Sequence, residues 1–460
     1  MLDIAAPVKG WIGRRLLARA TRNGLDLTSL RAVPGPLKMP LQRHGVDPVP
    51  QLGLTRAAEP VTRLSRLFGM NIWLVTGYDE ARAVLADTSA YSNDIRPLIG
   101  TQGVTAAGSI GGLGFTDPPD HTRLRKLLTP EFTRRRLARL EPQVARIVEH
   151  QLDLMAASGP VVDLVPAFAF PVPFQVICEL LGLPPEVRTR FEQLGPARFD
   201  VSRGGVDAFG AASESREFLF GEAARQRSVP GPGLIGRLVI EHGDEIDDVE
   251  LGGLADGVFL GGYETSASTL ALGVLVLLDN PDAMAVLRDD DDAADRVVEE
   301  LLRFLSVVQV AFPRFARHDL ELFGQQVSAG DVVLCSLNGA DRDDAFGAAP
   351  EQFDPRRPAR SHLAFGHGFH RCVGAELARM ELRAAFRALA RRFPDMTLAV
   401  PRQDLRFRDL SIVYGIESLP VRLGPPPAWP ASVEREPTRP AATVGDQARH
   451  GGEGDLRRSA

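Results

Sequence analysis

Cys372 stands in the string FGHGFHRCVG, residues 365–374, directly ahead of a run, AELARMELRAAFRALARRF, whose apolar positions recur at helical spacing. A cysteine so placed is set up as a thiolate, because N–H groups of the turn and of the helix start can stabilise negative charge on its sulfur. Gly366, Gly368 and Gly374 carry no Cβ, so the backbone can turn tightly and lie close to a flat ligand. A soft, fixed thiolate suits iron better than magnesium or calcium. Zinc held by His367, His370 and Cys372 is the rival reading; it needs a second ligand pair at zinc-like spacing, and the sequence offers none.

Three other groupings carry possible chemistry. In FTDPPDHTRLRKLLTPEFT, His121 and Arg125 fall at i and i+4 on one helix face, where two donors can grip an anionic group. The long apolar run 254–278 contains GGYETSAST, which sets Glu264 beside Thr265. A carboxylate buried in an apolar helix is costly unless it is paired or functional. Gly261 and Gly262 in that helix cost about 1 kcal/mol each relative to Ala, which points to a ligand lying close to the backbone. Further on, VVEELLRFLS brings Glu300 and Arg303 to i, i+3 spacing, where their side chains meet.

Taken together and in this order, these strings resemble the cytochrome P450 family. Phe365, Gly366, Gly368, His370, Cys372 and Gly374 match its haem-binding loop position for position. The resemblance implies that Cys372 is the proximal thiolate of haem b, pushing electron density onto iron. It implies that His121, Arg125, Arg314 and His370 bind the haem propionates, with Phe365, Gly366 and Gly374 shaping the loop. Glu264 and Thr265 correspond to the acid–alcohol pair that delivers protons during oxygen activation, although Gly261 stands where the family more often has Ala. Glu300 and Arg303 correspond to the family's Glu-x-x-Arg lock, and Arg356, in FGAAPEQFDPRRP, is expected to complete that network. GADRDD departs from the pattern, with Asp341 for the usual Asn and Asp344 for the usual Pro.

These residues need a scaffold to position them. NIWLVTGYDEARAVLADTSAY reads as a strand, a turn and a helix beginning near Tyr78; residues 311–333 read as strands with a Gly/Asp turn. Residues 141–245 read as mostly helical, interrupted by PVPF and by the Gly-rich SRGGVDAFGAAS; 92–114 is Gly-rich and loop-like. LSIVYGIESLPVRLG reads as a final hairpin whose tip, 412–415, faces substrate. The expected fold is mainly α with a small β region, a single P450 domain over residues 60–424. Residues 1–59 form a leader and Pro-rich lead-in, and residues 425–460 a disordered tail almost without large apolar side chains.

Composition excludes several classes. With 44% hydrophobic and 24% charged residues, the chain is an ordinary globular protein, and a net charge of −6 gives no reason to expect nucleic acid. Three widely spaced cysteines, Cys178, Cys335 and Cys372, build no disulfide framework, so a reducing, cytoplasmic compartment is expected. The run 254–278 is long enough to span a bilayer, but Asp256, Glu264 and its Ser/Thr residues favour a buried helix and no integral membrane association.

The implied function is insertion of one oxygen atom from O2 into a hydrophobic small molecule by a monomeric enzyme. Electrons would come from NAD(P)H through a separate ferredoxin or flavodoxin-type donor docked on the proximal face. The basic run Arg134, Arg135, Arg136 and Arg139 could steer an acidic donor there, or be a solvated face. Pocket segments are expected at 92–114, 195–205, 254–261, 307–312 and 412–415, with Val308, Val310, Ile412 and Val413 as apolar lining. A peroxide-driven peroxygenase and a non-catalytic haem-binding sensor or carrier are the alternatives; the intact Glu264–Thr265 pair argues against the first.

Overall fold

The computed structural model describes residues 35–67, 69–94, 112–194 and 214–425. The expected leader up to residue 34, the tail beyond 425 and most of the pocket segments 92–114 and 195–205 lie outside those residues. The fold is mainly α with small sheets.

The organising element is the helix Asp248–Leu278, 31 residues long. A capping box starts it: the Asp247 carboxylate accepts from the Glu250 N–H at 2.7 Å, and the Glu250 side chain accepts from the Asp247 N–H at 3.3 Å. By length and composition this helix could cross a membrane, yet 78% of its most apolar window is buried inside the protein. Helices Pro171–Leu181, Glu214–Ser228, Asp291–Leu305 and Ala375–Arg392 pack around it, which explains why it is apolar all round. PVPF does not interrupt a helix; its Pro171 opens Pro171–Leu181, where a missing N–H costs nothing.

A five-stranded sheet runs in the order Val61–Leu67, Met70–Val75, Val332–Cys335, Arg314–Ala316, Tyr91–Ser92. Val332–Cys335 lies parallel to Met70–Val75 and antiparallel to Arg314–Ala316. A second core cluster, including Trp73, Tyr78, Val333 and Phe346, fixes this sheet to helix Tyr78–Ala86. The lead-in is built into the same body: buried Arg43 bonds Gln309 Oε1 at 2.8 Å and the Ser306 carbonyl at 2.8 Å, and the Tyr414 hydroxyl donates to the Gly45 carbonyl.

Candidate active site

The loop 365–374 closes on itself through the Cys372 N–H, which donates to the Phe365 carbonyl at 2.9 Å. Gly366 and Gly368 have φ of +67° and +68°, and a Cβ on Gly368 would come within 2.6 Å of the Ala86 backbone. Both therefore serve the turn as expected. Gly374 does not, since its φ is −82° and it precedes helix Ala375–Arg392 as N-cap. The Cys372 side chain has accessible surface while dense protein surrounds it. Burial pushes its thiol pKa up, opposed by the Gly374 N–H and by Arg125, Arg371 and Arg379. The helix start therefore helps the thiolate but does not by itself outweigh desolvation. Coordination to a metal ion would deprotonate the thiol outright.

Three of the four residues assigned to anion binding gather beside the loop, and the fourth, His370, belongs to it. His121 and Arg125 sit on helix Asp120–Leu128; the Arg125 guanidinium donates to the Arg371 carbonyl at 2.7 Å, tying this helix to the loop. The His121 ring lies 4.3 Å from that of His370 and 4.4 Å from that of Phe369. Burial, then Arg125, lowers the His121 pKa to about 4. Burial, then His121, Arg314 and Arg125, lowers that of His370 to about 3. Buried Arg314 opens strand Arg314–Ala316 and donates to the Phe312 carbonyl at 2.8 Å. Both His121 ring nitrogens are buried without a hydrogen-bond partner. An orphaned ring N–H is costly to bury, and a ligand that accepts from it would relieve that cost.

On the long helix, Thr265 donates its hydroxyl to the Gly261 carbonyl at 2.6 Å, and Gly261 itself faces open space. Gly262 does not; a Cβ there would meet Ile177 Cδ1 at 2.5 Å, so its role is close helix packing, not ligand approach. Buried Glu264 is ion-paired with Arg408, a partner that sequence reasoning missed because 144 residues separate the two. Arg408 also donates to Ser268 Oγ at 3.3 Å and stacks 5.5 Å from the Phe170 ring. It belongs to a hairpin, 406–417, in which the Arg408 N–H donates to the Gly415 carbonyl and the Glu417 N–H to the Arg406 carbonyl.

The Glu-x-x-Arg lock forms as a buried bidentate pair, with both Glu300 oxygens 2.8 Å from Arg303. Arg303 also donates to the carbonyls of Asp341, Pro350 and Gln352. Arg356 does not join it. The Asp354 carboxylate accepts from the Arg356 N–H at 3.0 Å, a turn that throws Arg356 outward, and its side chain is 91% exposed. Arg357 takes the place instead, 3.2 Å from Glu300 and bonded to the carbonyls of Phe346, Ala348, Ala349 and Gln352. Asp341 is fully buried and joins Ser306 Oγ at 2.6 Å to the Leu363 N–H at 2.7 Å, a structural consequence the sequence did not reveal. Of the apolar lining, Val308, Val310 and Ile412 are half-buried. Val413, bridged to Val308, is only 2% exposed and belongs to the core.

Of the basic run, Arg134 pairs with Glu376 at 3.0 Å, and Arg136 with Glu131 and Glu241. No grouping of three or more His, Cys, Asp or Glu side chains fit for a metal occurs among the described residues.

A haem suits this arrangement. The thiol has accessible surface, an orphaned His121 N–H beside Arg125, with Arg314 near His370, would donate to propionates, and Gly261 leaves room along the helix. Residues 234–404 match the family model for cytochrome P450. The chain is 43% identical over 354 residues to cytochrome P450 165C4 of Amycolatopsis orientalis, covering 76% of this chain and 86% of that relative. The solved structure of P450 StaH from glycopeptide antibiotic A47934 biosynthesis superposes with a TM-score of 0.75 at 43% identity, covering 83% of this chain and 99% of the other. OxyC, a cytochrome P450 implicated in an oxidative C–C coupling reaction during vancomycin biosynthesis, gives 0.74 at 40% identity, covering 83% and 95%. Identity at this level, spread over a fold that these structures share almost end to end, makes the chain a member of the cytochrome P450 family, an oxidoreductase.

Proposed function

We propose that this protein is a haem b monooxygenase that inserts one oxygen atom from O2 into a hydrophobic small molecule of bacterial secondary metabolism. The family implies a haem-thiolate cofactor, redox partners and hydrophobic substrates. The observation that carries the reading is the convergence of Cys372 with His121, Arg125, Arg314 and His370, one soft ligand beside an unsatisfied anion cradle. Cys372 would ligate the iron; the His and Arg groups would hold the propionates; Phe365 and the loop glycines would shape the proximal side. When bound, the haem supplies oxygen activation. This chain's own part is to admit an apolar substrate past Val308, Val310 and Ile412 and to hold and move protons at the Glu264 carboxylate and the Thr265 hydroxyl.

Electrons would arrive from NAD(P)H by way of a ferredoxin or flavodoxin-type protein on the proximal face. We assign the haem domain to residues 60–424 with the lead-in from Arg43 packed into it, acting as a monomer in the cytoplasm; the three unpaired cysteines support a reducing compartment. The carbon monoxide difference spectrum of the reduced protein tests the core assignment. A red-shifted Soret band that Cys372→Ala abolishes is expected; an imidazole-type spectrum would sink it. Product formed with peroxide alone at low concentration would favour the peroxygenase, and absence of any turnover the sensor or carrier.

Similarity to OxyC, implicated in an oxidative C–C coupling reaction, favours a second reaction on the same site, oxidative C–C coupling within one substrate. Mass spectrometry separates the two: coupling removes two hydrogens, whereas oxygenation adds one oxygen.

A further inference from the structure

We propose that Arg379 is a positioning residue for the thiolate loop, holding Phe365 in place and supplying a fixed positive charge that sets how readily the haem is reduced. This rests on the reading of Cys372 as the haem ligand. Arg379 lies one turn into helix Ala375–Arg392, and its guanidinium stacks 4.7 Å from the centroid of the Phe365 ring. Phe365 opens the loop, and its carbonyl accepts the Cys372 N–H, so the ring and the sulfur are anchored by one peptide.

The guanidinium is not free to drift. Glu299 binds it through both oxygens, Oε1 to Nε at 2.5 Å and Oε2 to Nη2 at 3.0 Å, and Glu376 Oε1 takes Nη1 at 3.1 Å. A bidentate carboxylate fixes the plane of an arginine as a point contact would not. Glu299 is fixed in turn. Burial alone would raise its pKa, but hydrogen bonds from His362 and Arg379 hold it at about 2. His362 Nδ1 accepts the Ala364 N–H at 3.2 Å, which leaves its Nε2–H facing Glu299 Oε2 at 3.2 Å. Residues 362 and 364 lead directly into the loop, so the clamp grips it at two points: the backbone before it and the ring that begins it. Arginine on an aromatic face is stabilising, and more so when water is partly excluded, as for this side chain at 17% exposure.

Reduction adds one electron to a thiolate-bound iron, so a nearby fixed cation favours the reduced form. Groups around the sulfur are the protein's means of tuning such sites. Potentiometric titration of the haem-loaded full chain tests this. Arg379→Met is expected to move the one-electron equilibrium about tenfold toward the oxidised form, a potential lower by about 59 mV for a one-electron couple. Arg379→Lys keeps the charge but neither the plane nor the stack and should recover part of that loss. Glu376→Gln removes a counter-charge from a half-exposed position and should raise the potential. It also decides the matter if Arg379→Met does not load haem. Unchanged potentials in variants that retain the thiolate carbon monoxide band would overturn the proposal. A wild-type protein lacking that band would instead overturn the haem-thiolate reading on which it stands.

Discussion

Arg408, on the hairpin 406–417, ion-pairs with the Glu264 carboxylate of the long helix. The acid assigned to proton delivery is therefore held by a cation from the segment that also carries Ile412, one of the expected substrate contacts. The two side chains are 19% and 11% exposed, enough burial for the pair to matter. A double-mutant cycle of Arg408→Gln and Glu264→Gln, read by denaturant unfolding, should return a coupling of about 1.5–3 kcal/mol. Arg408→Gln should also release the carboxylate from its place and divert reducing equivalents from product to reduced oxygen species. Additive stabilities in the cycle, with coupling of reducing equivalents to product unchanged, would show that the pair has no such role.

Arg356 and Arg357 are neighbours with opposite fates, and the contrast is testable. Arg357 is buried on Glu300 and closes several backbone carbonyls, so Arg357→Ala leaves an uncompensated carboxylate and unsatisfied acceptors. Breaking such a buried pair costs about 3–5 kcal/mol. Arg357→Ala should lower the melting temperature sharply and reduce haem incorporation, while Arg356→Ala should leave the melting curve where it is. The reverse pattern would restore Arg356 to the Glu300–Arg303 network.

That reversal marks where sequence reading reached its limit. The long helix was legible in its apolar run, and the Cys372 loop and the Glu300–Arg303 lock in local strings, a turn before a helix and an i, i+3 pair, whose match and order resemble the family. Which of two adjacent arginines faces inward depends on an Asx turn at Asp354, a geometry with no periodic signal. Arg408 and Arg379 were illegible for another reason. Their partners lie 144 and 80 residues away, so the contacts exist only after the helices have packed. Ile412 and Val413 are neighbours in an irregular segment, and no pattern says which of them meets the core.

Glu381 gives a pH prediction. It is fully buried in helix Ala375–Arg392, its Oε1 has no hydrogen-bond partner, and burial pushes its pKa up to about 8. An unfolded Glu titrates near 4.3, so the folded chain retains a proton that the unfolded chain loses. Its stability contribution is fully present below about pH 4 and is lost progressively as pH rises toward 8, with a slope of about 1.4 kcal/mol per pH unit. Glu381→Gln mimics the protonated acid and removes that slope. Urea unfolding at several pH values should therefore show the variant overtaking the wild-type protein between pH 5 and 8. Parallel curves would mean that Glu381 is ionised in the fold.

Gly261 and Gly262 separate function from packing within two residues. At Gly261 no atom of the described residues beyond its own turn of helix lies within 4 Å of an added Cβ, so Gly261→Ala gains helix propensity of about 1 kcal/mol and should raise the melting temperature. The new methyl stands beside the carbonyl that accepts the Thr265 hydroxyl, where substrate is expected, so ligand-induced spin-state shifts should change for bulky substrates. At Gly262 the same methyl would press on Ile177, which is 2% exposed and has little room to move. Overpacking there costs about 1–3 kcal/mol against the same propensity gain, so Gly262→Ala should lower the melting temperature or at best leave it level. Ile177→Val removes the Cδ1 that would clash, and in the Gly262→Ala background it should restore stability despite shrinking a core side chain. If both alanine variants instead stabilised the protein equally, the close contact at Ile177 would not exist in solution, and Gly262 would again be open to a ligand-facing role.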